Sequence, residues 1–366
     1  MRLVNGLLHT FLLGMAASLA MGAQQPDRAA RATNILFVTL DGMRWQELFG
    51  GLSSEYLTKE AGGVAERLAL EKRFGGATPV ERRERLMPFF WSVIAKNGQV
   101  FGDGAAGSAA RVTNGLRFSY PGYNEMLSGF PDPRIDSNDK KPNPNVTVLE
   151  WLGTRPGFAG RVAAFGSWDV LPFILNEGRS AIPSNGHGPP VAPTTTDRER
   201  LLNDFSSELP PLWGEVRFDA PTIFGALEYL RSRKPRALYV LLGETDEWAH
   251  QRRYDLYLDA AWRNDRMIRR LWEAAQSIPE YANRTALVVT TDHGRGDTPQ
   301  DWTSHGREVP VSDRIWIAVM GPGVPALGIR SGVVSTQSQV AATIAALLGE
   351  DYAGAERRAA AELSLW

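Results

Sequence analysis

The sequence predicts an α/β fold of three layers, with a mainly parallel central sheet covered by helices on both faces. Two observations predict it. Five short runs are apolar almost throughout and β-rich, the pattern of strands buried on both faces: Asn34–Leu40, 161–165, Ala237–Leu242, Thr285–Thr290 and 314–320. Between them lie segments with helical periodicity, at 87–97, 145–152, 222–232, 256–276 and 337–348. Strands alternating with helices build a parallel sheet. Ligands of such sheets bind beyond the carboxyl ends of the strands.

In chain order, the first element is a targeting segment. Met1-Arg2-Leu3 precedes a mostly apolar run over 7–23 that ends in small residues before Gln24-Gln25-Pro26-Asp27. That is the pattern of a secretory signal peptide over residues 1–23, with cleavage after Ala20 or Ala23. The run is short for a membrane anchor, so the mature protein is expected to be exported, periplasmic or secreted, with no membrane span. Residues 32–366 read as one catalytic domain. Two insertions interrupt it: a charged, helix-prone stretch at 57–86, and a Pro-, Gly-, Ser- and Thr-rich loop at 183–211 that reads as a lid.

Composition narrows the function. The 40 basic and 41 acidic side chains nearly cancel, so no global field favours nucleic acid or an anionic membrane. An anionic substrate must then be held by local charge. The chain has no cysteine, which excludes disulfides, thiolate metal sites and cysteine nucleophiles. Stability must come from core packing, which this length permits.

The polar residues cluster where the strands end. The first strand runs into Asp41-Gly42, the third into a segment with Asp246 and His250, and the fourth into Asp292-His293-Gly294; His305-Gly306 follows. The chain holds five histidines. His9 lies in the signal and His187 in the long loop; the other three fall in these motifs. Asp246 and His250 are four apart and share a helix face. Carboxylate with imidazole suits zinc or a similar divalent ion. Singly, each residue has a plain explanation as a turn, a cap or a loop contact. Jointly, three carboxylates and three imidazoles at one sheet edge suffice for two ions.

These motifs, in this order, resemble the alkaline phosphatase superfamily of phosphatases, phosphodiesterases, sulfatases and cofactor-independent phosphoglycerate mutases. The resemblance runs from Asn34 to about Leu348. It implies two divalent ions, Zn2+ by the histidine content, with Asp246, His250 and His305 at one and Asp41, Asp292 and His293 at the other, together with the nucleophile. Phe118-Ser119-Tyr120-Pro121 resembles the nucleophile segment of the phosphodiesterase branch, which implies that Ser119 is the catalytic nucleophile and also a metal ligand. A helix N-terminus there would favour an anion, and a metal would activate the weak serine hydroxyl. Thr113 is the competing nucleophile and a plain N-cap is the structural alternative for Ser119.

The resemblance further implies an exported phosphoric ester hydrolase, a phosphomonoesterase or phosphodiesterase, acting on a small-molecule phosphate ester through a phosphoseryl intermediate. Tyr120, Ser167, Trp168 and Asp169 are the candidate substrate-binding residues. Gly166-Ser167-Trp168-Asp169 resembles a sulfatase stretch, but with Ser167 at the lysine position. Arg111, Arg117, Lys140, Lys141, Arg252, Arg295 and Arg307 are the candidate phosphate contacts. A sulfatase is the rival reading, although Tyr123 replaces the arginine of the sulfatase motif. A metal-binding but catalytically silent protein is the other. The interval from Ser119 to Asp246 is too short for the second domain of a mutase.

Overall fold

The computed structural model describes residues 31–186 and 191–366. The predicted signal peptide lies outside the described residues, as do His9 and His187. Among the described residues there are eleven strands: β1 (Asn34–Leu40), β2 (Gly98–Phe101), β3 (Ala109–Arg111), β4 (Val162–Gly166), β5 (Ser184–Asn185), β6 (Ala237–Leu242), β7 (Thr285–Thr290), β8 (Arg314–Ile315), β9 (Ile317–Met320), β10 (Gly328–Ile329) and β11 (Val334–Thr336). Eight form one sheet in the order β10-β2-β9-β7-β1-β6-β4-β5, and β11-β3-β8 form a second.

The centre of the large sheet is parallel, from β7 through β1, β6 and β4 to β5. Every residue of β1, β6 and β7 is buried, as expected for apolar runs covered on both faces. Helices Asp219–Arg233 and Tyr254–Gln276 pack on each other and on the central strands, while Ser119–Ser128, Val148–Gly153 and Gln339–Leu347 form a separate packed group. The result is the predicted three-layer sandwich. One hydrophobic cluster extends from Ala32 to Leu365.

Two expectations are corrected and one is refined. The predicted strand over 314–320 divides at Trp316: β8 joins the small sheet, and β9 enters the large one antiparallel to β7 and β2. Trp316 is buried, its indole donates to the Met43 carbonyl at 3.0 Å, and its own carbonyl accepts from the Thr290 hydroxyl at 2.6 Å. These bonds take Trp316 out of the ladder. The expected helix over 87–97 is present over 88–97, with a π-helical turn, Phe90–Ile94, inside it. The Asp265 carboxylate accepts the amides of Phe89 and Phe90 at its start, at 2.8 and 2.7 Å. Lastly, the expected loop over 183–211 contains the helix Asp197–Ser207, opened by a capping box between Thr196 and Glu199.

The insertion at 57–86 forms helices Lys59–Gly62, Arg67–Phe74 and Pro79–Leu86, the last packed on helix Trp45–Gly50. Among the described residues, no helix is long and apolar enough to cross a membrane.

Candidate metal centre

Strands β7, β1 and β6 are parallel neighbours, with Thr39 beside Thr290 and Leu40 beside Leu242. Their carboxyl ends therefore deliver Asp41, Thr291-Asp292-His293 and Gly243 side by side. Helix Glu244–His250 follows β6 directly and carries Asp246 and His250 one turn apart. Gly42 makes the approach possible. Its φ is +57°, and a Cβ there would lie 2.6 Å from Asp246 Oδ1; its N–H donates to Asp292 Oδ1 at 3.0 Å.

Two clusters of ligand type result, Asp41–Asp292–His293 and Asp246–His250–His305. In the first, His293 Nε2 lies 3.4 Å from Asp41 Oδ1, 3.4 Å from Asp292 Oδ2 and 3.4 Å from Ser119 Oγ. Ligands at ~2.0–2.1 Å from a tetrahedral ion stand about 3.3–3.4 Å apart. Asp41 Oδ1 and Asp292 Oδ2 are both buried without a hydrogen-bond partner, an arrangement that suits a cation. His293 Nδ1 is 2.9 Å from the Gly294 carbonyl. The tautomer that donates there leaves the Nε2 lone pair facing the cluster.

In the second cluster, His250 Nε2 lies 3.0 Å from Asp246 Oδ2 and 3.1 Å from His305 Nε2. His305 Nδ1 is 3.3 Å from the Arg117 carbonyl, which orients its Nε2 in the same way. His250 is the exposed member, with 45% of its side chain accessible. Asp246 Oδ1 is hydrogen-bonded to the buried Arg295 guanidinium.

Burial pushes the carboxyls of Asp41 and Asp292 well above the usual carboxylate range, and neighbouring aspartates add repulsion. Burial acts on Asp246 in the same direction, but Arg295 and His250 outweigh it and hold the group well below that range. Burial, then the neighbouring His293, holds His305 well below the usual imidazole value. A divalent ion would relieve the carboxylate repulsion and favours neutral imidazole. The residues present therefore fit such an ion at each cluster.

Ser119 is the first residue of helix Ser119–Ser128 and is buried. The N-cap position belongs to Phe118, without a side-chain cap, so Ser119 is not a plain cap. The Tyr120 N–H donates to Asn138 Oδ1 at 3.0 Å, and Pro121 carries no N–H. The helix thus offers an anion its dipole rather than a fork of free amides. Gly122 lets this helix approach β7's end, since a Cβ there would lie 2.5 Å from the Asp292 carbonyl oxygen. The Thr113 hydroxyl donates to Glu125 Oε1 at 2.8 Å.

The candidate substrate residues divide. Tyr120 is buried and its hydroxyl donates to the carbonyls of Lys141 and Phe173, at 2.6 and 3.1 Å. The Ser167 hydroxyl is buried and donates to Asp219 Oδ1 at 2.6 Å. Both polar groups point into the fold. Trp168 packs near Tyr123, with ring centroids 6.2 Å apart. Asp169 pairs with Lys140 at 2.7 Å. Among the candidate phosphate contacts, Arg295 holds Asp246, Arg111 pairs with Asp313 and Lys141 with Asp139. Arg252 donates to the Ala61 and Pro299 carbonyls, and Arg117 to the Arg307 carbonyl.

Sequence reasoning missed the residues that hold the site. The Tyr123 hydroxyl donates to Asp41 Oδ2 at 2.8 Å; its spacing of four from Ser119 was the available signal. Asp219 and Glu244 cap each other's helices. Asp219 accepts the N–H groups of Gly243 and Glu244 at 2.7 and 3.1 Å, and Glu244 accepts that of Asp219 at 2.8 Å. Arg263 bridges Glu244 from the next helix. A cavity of about 770 Å³, lined by residues including Arg44, Leu52, Glu71 and Arg82, contains none of the cluster residues.

Fold and paired clusters together define a three-layer α/β protein with two candidate sites for metal ions. Residues 224–352 match the family model described as the Metalloenzyme superfamily. The fold is similar to that of the lipoteichoic acid synthase LtaP from Listeria monocytogenes (12% identity, 88% of this chain and 73% of that one, TM-score 0.55). It is also similar to a putative sulfatase from Bacteroides thetaiotaomicron (14%, 89% and 71%, 0.54). A third likeness is to murine ectonucleotide pyrophosphatase/phosphodiesterase 5 in complex with AMP (11%, 87% and 96%, 0.52). At 11–14% identity these likenesses show a shared fold and no more. No curated protein sequence matches it significantly.

Proposed function

We propose that this chain is an exported phosphoric ester hydrolase with one catalytic domain over residues 32–366, two zinc ions and Ser119 as nucleophile. One observation carries the reading: Asp41 Oδ1, Asp292 Oδ2 and Ser119 Oγ each lie 3.4 Å from His293 Nε2. Each of these distances is the one that two ligands of a single tetrahedral ion keep. The similar fold of a phosphodiesterase holding AMP supports an ester of phosphate. The apolar run over 7–23 supports export.

When bound, the two ions would supply positive charge at the attacking and leaving oxygens. Asp41, Asp292 and His293 would hold one, with Ser119 Oγ, and Asp246, His250 and His305 the other. Ser119 Oγ attacks phosphorus in line, losing its proton to solvent and forming the Oγ–P bond as the bond from phosphorus to the leaving oxygen breaks, and that oxygen takes a proton from solvent. The dipole of helix Ser119–Ser128 favours the anionic phosphoserine so formed. Water then attacks phosphorus from the vacated side; the Oγ–P bond breaks, one of the water's protons restores the Ser119 hydroxyl, and the phosphate product is released with the water's oxygen. Tyr123 keeps Asp41 in place through its hydroxyl.

The test is metal content by mass spectrometry on purified protein, with turnover of p-nitrophenyl phosphate, its bis ester and p-nitrophenyl sulfate on the same preparation. Two zinc ions with phosphate or diester turnover is the expected result. Sulfate turnover with calcium would replace the reading by a sulfatase, and metal without turnover would remove Ser119 from its role.

A further inference from the structure

We infer that the two metal sites are unequal, and that Arg295 makes them so. Its guanidinium neutralises Asp246 and leaves the Asp246–His250–His305 site the weaker and later to fill, while Asp41–Asp292–His293 fills first. The inference rests on the metal-centre reading above and concerns how the chain's own charges divide between the clusters.

Arg295 follows Gly294 and is 1% exposed. One end of its guanidinium donates to Asp246, at Oδ1 and, at 3.2 Å, at the backbone carbonyl. The other donates to the Thr303 carbonyl. Held from two sides, it cannot swing away as a surface arginine would. Its Nε lies 2.9 Å from where a Gly42 Cβ would be, so the group is wedged between the β1 turn and the metal helix.

The formal charges then differ. The first site has two carboxylates and a neutral imidazole, for a charge of minus two. The second has one carboxylate and two imidazoles, and the guanidinium on Asp246 brings it to zero. At separations of a few ångströms in a buried site, each unit charge outweighs thermal energy. Solvation acts in the same direction. Asp292 and His293 side chains are 0% exposed and Asp41 is 7% exposed, so the first site's carboxylates are shut away from water, and the one cation that acts on Asp41, Arg295, is bonded to Asp246 and reaches Asp41 only through space. Asp246 keeps Arg295 when its ion leaves, and the 45% exposed His250 can be hydrated. Asp246 thus gives one oxygen to each cation: Oδ1 to Arg295, and Oδ2, on the His250 side, to the ion.

The experiment is a zinc titration of the chelator-stripped full chain against a competing chelating dye. Two resolved steps are expected, the second weaker by at least roughly tenfold, within the range that outer-shell partners produce. His250→Ala should delete the weaker step and Asp292→Asn the tighter. Arg295→Met should tighten the second step by about 10- to 100-fold, and Arg295→Lys should preserve the order. If Arg295→Met does not fold, the wild-type order with the two ligand variants still decides. Equal steps, or loss of the weaker step in Asp292→Asn, would overturn the inference and leave the metal centre standing. Loosening of the second step in Arg295→Met would do the same. Failure of the wild-type chain to bind any zinc would overturn both.

Discussion

Ser119 and Tyr123 sit one turn apart on the same helix face and meet the first cluster in different ways. Ser119 supplies the hydroxyl 3.4 Å from His293 Nε2, whereas Tyr123 supplies only a hydrogen bond to Asp41. Ser119→Ala should therefore abolish turnover while zinc content, measured on the same protein, stays near wild type; a near-wild-type rate would remove Ser119 from the mechanism. Tyr123→Phe should keep the fold, because the ring stays packed, but weaken zinc binding or turnover by about 10- to 100-fold, the scale of an outer-shell loss. An unchanged zinc titration and rate in Tyr123→Phe would mean that Asp41 is held by its other neighbours alone. The residues named from sequence as ligands and nucleophile lie together in space; singly each had a plain explanation, and they were legible only jointly, as chemistry-bearing types gathered in order where the strands end. Tyr123, Asp219 and Glu244 were not. Their side chains act through hydrogen bonds to other segments, and no spacing rule connects Asp219 with Gly243.

Elements obey the same division between local and distant causes. The buried strands β1, β6 and β7 matched their apolar runs to the residue, since continuous burial leaves its mark in composition. The helix Asp197–Ser207 was missed although its capping signal, Thr196 followed by Glu199, stood in the sequence. The surrounding Pro and Gly content outweighed it in the reading. The reversal of β9 had no local signal, because the direction of a strand is a property of its connections. The metal helix Glu244–His250 is short and depends on Asp219 for its first amides. Asp219→Ala should therefore destabilise the protein by about 1–3 kcal/mol, the cost of leaving buried donors without their acceptor. It should also weaken zinc binding at the His250 site more than at the Asp292 site, which the zinc titration resolves. Asp265 gives an element-scale pH effect remote from the clusters. Burial raises its carboxyl to about 7, against ~3.9 in an unfolded chain. A carboxyl raised on folding stabilises fully below its unfolded value, and that contribution is lost as pH rises through the folded one. Melting temperatures of Asp265→Asn and wild type should thus diverge between pH 4 and 7 in favour of the variant. A constant difference would mean that Asp265 does not titrate there.

Across the whole molecule, the clusters join segments that the backbone leaves separate: the ends of β1 and β7, the helix after β6, the loop at His305 and the helix beginning at Ser119. Without a cation, this junction gathers three aspartates, two of them with orphaned buried oxygens. Ion binding should therefore stabilise the entire fold rather than only the site. Any ligand that binds the folded chain alone stabilises it by mass action, about 2.7 kcal/mol at a hundredfold excess over its Kd, which corresponds to a rise of roughly 4 °C in Tm for a chain of this size. Calorimetry of chelated protein with and without zinc reads this directly. Because Asp41–Asp292–His293 carries the larger uncompensated charge, Asp292→Asn should remove most of the zinc-dependent rise and His250→Ala only a minor part. A rise that survives Asp292→Asn but not His250→Ala would place the stabilising ion at the other cluster. No rise in the wild type at saturating zinc would mean that neither cluster closes on an ion, and the carboxylates would need another source of neutralisation.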